Sequence, residues 1–312
     1  MKTLLSALHQ YLAMRRNLGF ALVDNEESLL NFLRFMESQR VTVITTDLAV
    51  QWATQPKHAS KVRHAHRLAM VRDFARYVSA TDPRTEVPPQ GMLSVRYHRP
   101  QPRIYTEDEI LQVIQQAGHL QPWEGIRLRP VTYSTLFGVL AVTGMRVSEV
   151  VALDRRDVDL DQEVIIIRES KFGKTRIVPV HGSAQERLRA YRNRRDALIG
   201  TEATRSFFVS DRRARLTDFT VRYNFHTVAK SIGLRGAAGT RRPRVHDLRH
   251  TFAVRTLANW YRGGGNPDRF LPLLSVYLGH AHISHTYWYL SAVPELLGAV
   301  KSRLEQFLGE PS

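Results

Sequence analysis

Apolar residues recur at helical spacing through the first eighty positions of this chain. Residues 3–18 place Leu4, Leu5, Leu8, Leu12 and Leu18 close to one stripe, which predicts a helix. Asp24 with Glu27 reads as a capping box opening a second helix over 26–38, and Thr45 or Thr46 as the cap of a short third helix through Trp52. A fourth helix over 58–80 turns Val62, Leu68, Val71, Phe74 and Val78 toward a core. Residues 82–104 then lose periodicity and carry five prolines, the composition of a semi-extended linker.

Beyond the linker Thr106 and Glu109 form a second capping-box pattern, opening a helix over 107–117. More apolar sequence predicts a helix over 131–142 closed by Gly144, then a short one over 146–153. The period then shifts to two: VIIIRES (164–170) and TRIVPVH (175–181) read as a hairpin turning at Gly173. Helices are expected at 184–199, 218–232, 246–261 and 269–278, with SFFV (206–209) as a short strand, a Gly- and Arg-rich loop over 233–244, and a turn carrying Tyr289. An amphipathic helix over 295–308 ends the chain. The fold class is mainly α with a small antiparallel sheet in the second domain: helices in 1–81, a linker at 82–104, and a larger domain in 105–312.

Charge changes this picture most. The chain carries 45 basic against 29 acidic residues, +16 overall. The excess lies on both sides of the linker, so two basic domains are expected to face one polyanion, most simply duplex DNA. Lys61, Arg63, His64 and Arg67 cluster on the first turns of the fourth helix, and Arg241, Arg242 and Arg244 punctuate the loop before the 246–261 helix. The first cluster reads equally as a solvated helix face or as a surface that tracks phosphates. There are no cysteines, which excludes disulfides, thiolate metal sites and a Cys nucleophile. The N-terminus lacks a long apolar core and a small-residue cleavage site, and no run approaches a membrane span, so a cytoplasmic, nucleoid-associated protein is expected.

Candidate chemistry gathers in 245–290. His246, Arg249 and His250 fall at i, i+3 and i+4, one face of a helix. Arg146 sits upstream in VLAVTGMRVSEVV, where an unpaired charge is costly, and Glu149 is its expected partner. Two arginines suit a phosphodiester under attack, and His246 and His280 could bond the phosphate or move a proton. Lys171 and Lys174 flank the hairpin tip, where each reads as a solvated loop residue or a general acid for a departing alkoxide. Tyr289 is the candidate nucleophile, with Tyr287 its competitor. A metal reading, His246 and His250 with His280 and His282, lacks a carboxylate and places Arg249 against the cation.

RVSE after a TG turn, a Lys hairpin ending in VP, HDLRHTFA, LGH, and a Tyr nine residues on stand in the order of the tyrosine recombinase (phage integrase) family, which residues 105–290 resemble. The helical first domain and basic linker resemble that family's core-binding, SAM-like domain and connector, together a two-domain DNA clamp. The resemblance implies Arg146 and Arg249 as a phosphate clamp and His246 as the hydrogen-bonding, proton-handling residue beside it. It implies Lys171 as general acid to the 5′ oxygen, His280 as a transition-state donor, Tyr289 as nucleophile, and His250 and Glu149 in support. It implies a 3′-phosphotyrosyl intermediate formed without metal or other cofactor, and a homotetramer exchanging C-terminal segments, here 295–308. GGGNPDRFLPLLS ahead of VYLGH lengthens the loop before His280 relative to the family. The expected function is site-specific recombination for integration, excision or transposition of a mobile element. A type IB topoisomerase, a non-cleaving DNA-binding regulator and a metal-dependent phosphodiesterase stand as alternatives.

Overall fold

The computed structural model describes residues 2–20, 22–93, 101–122, 127–170, 174–234, 242–263, 267–280 and 282–292, in two units, Met1–Pro100 and Gln101–Ser312. The first unit packs four helices, α1 (Lys2–Asn17), α2 (Val23–Ser38), α3 (Thr46–Thr54) and α4 (Lys61–Val78). Thr45 caps α3, its hydroxyl accepting from the Leu48 amide at 3.4 Å, and Ser60 caps α4 by accepting from Arg63 at 3.2 Å. Leu8, Leu12, Phe32, Met36, Trp52 and Phe74 fill the core between them.

Several expectations for this unit are corrected. The Asp24–Glu27 box does not open α2. The helix starts at Val23 after Leu22, which holds φ 50 and makes no side-chain cap, and Asp24 and Glu26 instead place negative charge in its first turn, at the positive end of the helix dipole. Leu5 lies off the Leu4–Leu8–Leu12 stripe and Leu18 beyond the end of α1, so both are exposed. Val62 follows the Ser60 cap directly and sits in an exposed first turn rather than in the core. Residues 82–93, expected to begin the linker, are bound into this unit. The Glu86 amide donates to Ile44 O at 2.9 Å, its carboxylate accepts from the Thr46 amide at 2.8 Å, and Arg72 donates to the Pro88 and Pro89 carbonyls at 2.8 and 3.0 Å. Proline lacks a donor but keeps its acceptor, so a Pro-rich segment can be tied down by a neighbouring Arg.

The second unit runs α5 (Glu107–Ala117), α6 (Arg129–Thr143), α7 (Val147–Ala152), β1 (Val158–Asp159), β2 (Val164–Ser170), β3 (Lys174–Pro179), α8 (Gly182–Ile199), α9 (Asp218–Ser231), α10 (His246–Arg262), α11 (Pro267–Leu278) and α12 (Ser284–Ala292). The Thr106–Glu109 box is closed in both directions, at 3.1 and 3.0 Å. The sheet is antiparallel in the order β1-β2-β3, with Ile165 opposite Val178 and Ile167 opposite Arg176. Segment 206–209, SFFV, is not a strand. Ser206 and Val209 make single bridges, to Asp154 and Arg215, while Phe207 and Phe208 are buried. The hairpin tip 171–173 and the expected helix 295–308 lie outside the described residues. No helix among the described residues is long and apolar enough to cross a membrane.

The architecture is thus mainly helical with one small antiparallel sheet. Helix α10 crosses α6 and α11, and each of those helices ends in a left-handed glycine, Gly144 (φ +61) and Gly279 (φ +66). A Cβ on Gly144 would stand 2.5 Å from the Phe252 ring of α10. Gly144→Ala therefore combines backbone strain with a clash, whereas Gly233, at φ +69, has nothing within 4 Å of its would-be Cβ. By chemical denaturation Gly144→Ala should lose more than about 1 kcal/mol and clearly more than Gly233→Ala. Equal losses would mean that only the backbone conformation matters.

Candidate active site

The two glycine turns aim backbone carbonyls at one place, and arginines fill it. Arg249, nearly fully buried on α10, donates through Nη1 to Gly144 O at 2.8 Å and through Nη2 to Leu278 O at 2.5 Å. Arg146 stands at the N-cap of α7, where Gly144 releases the chain into extended geometry. Its Nη2 donates to Gly279 O at 2.7 Å and its Nη1 to Glu149 Oε1 at 2.7 Å. Glu149 also accepts the Arg146 backbone amide at 2.8 Å, the expected orienting contact. Burial opposes ionisation of Glu149, but Arg176 first and Arg146 after it outweigh that and hold its carboxyl down at about 2.

Arg176 escaped the sequence reading. It donates through Nη1 to Glu149 Oε1 at 2.9 Å and through Nη2 to Oε2 at 2.8 Å. A signal for it exists: alternation along TRIVPV puts position 176 on the face of buried Val178, opposite buried Ile167. A charge at a core-facing strand position needs a buried partner.

His246 begins α10 in a cleft of about 650 Å³ lined by Arg146, Ser148, Arg222, Arg242 and Arg244. Its ring keeps access to solvent, yet the cleft walls remove part of its hydration and Arg249, Arg244 and Arg146 repel a proton, so its pKa is pushed down to about 4. His250, one turn on, is buried, and its Nδ1 lies 2.8 Å from the Tyr289 hydroxyl. Tyr289, on α12, is 1% exposed and its ring lies alongside that of His280, centroids 6.4 Å apart. Tyr287 is 43% exposed. His280 follows Gly279, and its Nδ1 is 2.7 Å from Oγ1 of buried Thr286, a partner that no sequence pattern announces. Burial and neighbouring cations lower the Arg249 pKa to about 10, which leaves it charged at neutral pH.

The structure therefore brings Arg146, Glu149, His246, Arg249, His250, His280 and Tyr289 into one neighbourhood. Lys171 lies outside the described residues, as does Arg241. Arg242 and Arg244 line the cleft, and Arg244 is also paired with buried Asp247 at 2.7 Å. In the first unit the side chains of Lys61 and Arg63 are exposed, whereas Arg67 stacks 3.6 Å over Trp52 and donates to its carbonyl at 2.9 Å. Among the described residues no three His, Cys, Asp or Glu side chains are grouped to hold a metal ion.

With a folded pKa below the ordinary 6.5, His246 leaves the unfolded chain holding more protons between pH 6.5 and about 4. It therefore lowers stability as pH falls through that window and contributes nothing above it. Imidazole NMR of the DNA-free protein should place the His246 midpoint near 4, and His246→Gln should lose its share of the acid destabilisation. A midpoint at 6.5 or higher would contradict the electrostatics described.

The description "Phage integrase family" matches residues 104–295. Over 308 residues the chain is 42% identical to y4rB of Sinorhizobium fredii, a protein carrying an integrase/recombinase name, covering 98% of both chains. It is 29% identical to the tyrosine recombinase XerD of Caulobacter vibrioides, over 76% of this chain and 72% of that one. Among solved structures, the XerA recombinase is similar over 100% of this chain and 99% of its own, at 24% identity and a TM-score of 0.52. The Tn1549 transposon integrase in complex with a circular intermediate DNA is similar over 96% and 99%, at 18% identity and a TM-score of 0.64. These two likenesses concern the fold. Matched along most of its second unit by the family description and along nearly its whole length by a close relative, the chain belongs to the phage integrase family of tyrosine recombinases, enzymes that cleave and rejoin DNA.

Proposed function

We propose that this recombinase acts at specific sites in duplex DNA, with Tyr289 as nucleophile and Arg146 and Arg249 as the clamp on the scissile phosphate. The observation that carries the reading is the burial of Tyr289 against His250 and beside His280, whereas Tyr287, two residues earlier on α12, is exposed. In cleavage a bond forms between Tyr289 Oη and phosphorus while the bond from phosphorus to the 5′ oxygen breaks. The phenol proton passes to an imidazole, His250 being the one in contact, and Lys171 protonates the departing oxygen. Charge that builds on the non-bridging oxygens meets the guanidiniums and the His246 and His280 rings. Rejoining is the reverse, so the phosphotyrosyl bond stores the energy of the broken strand.

In the second unit Arg242 and Arg244 at the cleft, with Arg241, supply phosphate-tracking charge; in the first unit exposed Lys61 and Arg63, with Arg67, are the proposed contacts to the DNA backbone. The first unit (1–81 with the tied segment to 93) is the DNA-binding domain, and the unit after the basic linker is the catalytic one. A mobile-element programme of integration, excision or transposition is supported by the integrase/recombinase name of the 42% identical relative. A homotetramer on paired sites, working at the nucleoid, follows from the family reading. Segment 295–308 of one protomer is assigned to a neighbour, and the apolar groove of about 470 Å³ lined by Val142, Phe252, Trp260, Leu273 and Tyr277 has the chemistry to receive it.

A target duplex selected from random sequence by binding to the whole chain supplies the assay. Tyr289→Phe should bind it as the parent does and form no covalent adduct on denaturing gels, while Tyr287→Phe still forms one. An adduct from Tyr289→Phe would move the nucleophile elsewhere. Lys171→Ala should cleave the natural phosphodiester poorly and recover on a 5′-bridging phosphorothiolate, whose thiolate departs without protonation. Absence of recovery would return Lys171 to a solvated loop and make Lys174 the next candidate.

A further inference from the structure

Glu149 is the only carboxylate hydrogen-bonded to the clamp arginines among the described residues, and two guanidiniums divide it. Arg146 reaches one oxygen with one nitrogen, whereas Arg176 takes both oxygens in a fork at 2.9 and 2.8 Å. Arg176 is only 10% exposed in its side chain and is fixed from the other side by the Gly279 turn, where a Cβ would come within 2.9 Å of its Nη1. It lies on β3 and cannot itself be a cap, a surface charge or a helix-face residue. If Arg146 alone held Glu149, the pair would be neutral, and a phosphate would meet a cancelled charge. With Arg176 present, three buried or half-buried guanidiniums, Arg146, Arg176 and Arg249, stand against one carboxylate.

We propose that Arg176 is a positioning residue for the cleavage reaction: by occupying Glu149 it lets that carboxylate orient Arg146 without neutralising it toward the scissile phosphate. This rests on the reading of Arg146 as part of the phosphate clamp. Arg176 touches no substrate in this scheme and acts through Glu149 and Arg146. Burial lowers the Arg249 pKa most, and repulsion from Arg146 and, more weakly, Arg176 adds to it, as the geometry of the three guanidiniums requires. Lys at 176 would keep the charge but not the fork, and Gln would keep polarity but not the charge.

The test compares cleavage of the selected duplex carrying its natural phosphodiester with cleavage of the same duplex carrying a neutral methylphosphonate at the scissile position. A neutral phosphate makes little use of surplus positive charge, so the ratio of the two rates reads the charge at the clamp. Arg176→Gln should lower the phosphodiester-to-methylphosphonate ratio by about tenfold or more, in the range expected for weakening one electrostatic contact. Arg176→Lys should hold that ratio within about threefold of the parent even where both rates fall from the lost fork. A Gln variant that slows both substrates equally, or neither, overturns the proposal, since a purely structural arginine would not distinguish them. Should the Gln variant fail to fold, Arg176→Met, neutral and of similar reach at this half-buried strand position, takes its place: a fall in its ratio of about tenfold supports the proposal, and an unchanged ratio overturns it. Failure of the parent chain to form any adduct would instead overturn the functional reading on which the inference rests.

Discussion

The second unit is organised by one buried cation. Arg249 spends its terminal nitrogens on the carbonyls of Gly144 and Leu278, and so ties the end of α6 to the end of α11 across α10. Each of those carbonyls points at it because a left-handed glycine turns the chain there, at Gly144 itself and at Gly279. Carbonyl dipoles satisfy the hydrogen bonds of a guanidinium but do not cancel its charge, and removing that charge from water is costly. The arrangement is poor as a stability device and good as an anion receptor. On the proposed reading, the scissile phosphate is the anion that completes it.

The same logic explains why the histidine beside the proposed clamp is neutral. His246 shares its cleft with Arg146, Arg244 and Arg222, and its pKa near 4 reflects lost hydration together with their repulsion. A neutral imidazole can accept a proton or a hydrogen bond at physiological pH, which an imidazolium cannot. His250 packs edge-on against His246, ring centroids 4.9 Å apart, and its Nδ1 lies 2.8 Å from the Tyr289 hydroxyl. The proposed clamp, proton-handling groups and nucleophile thus converge from the N-cap of α7, the first turns of α10, the turn after α11 and α12.

Much of this was legible because helical spacing is strict. His246, Arg249 and His250 share a face at i, i+3 and i+4, and a charge following a Gly stop, with a Glu three residues on, announces an N-cap and its partner. What escaped did so for physical reasons. Arg176 lies on a short strand, where one residue of register decides between solvent and core, and its partner is 27 residues away along the chain. Thr286 holds His280 through a turn whose path the sequence does not encode locally. In the first unit, Val62 and Leu18 followed the apolar pattern but fell where a helix begins or has ended, and the Asp24 box lost to a start set by Leu22. Residues 82–93 read as a linker from their prolines, although proline carbonyls accept as readily as any other and Arg72 uses two of them.

On the proposed reading, substrate and proton are coupled through this site. A phosphodiester seated between Arg146 and Arg249 would bring one negative charge among the cations that, after burial, hold the His246 pKa down. That charge offsets the repulsive part of the shift and so favours protonation of the imidazole. By linkage the reverse also holds: protonation of His246 strengthens phosphate binding by the same free energy. Such coupling is useful to a reaction that runs in both directions through one covalent intermediate. The histidine is neutral while the site is empty and becomes easier to protonate once phosphate is seated. The charge surplus that destabilises the unbound protein is therefore the same property that couples the site to its substrate.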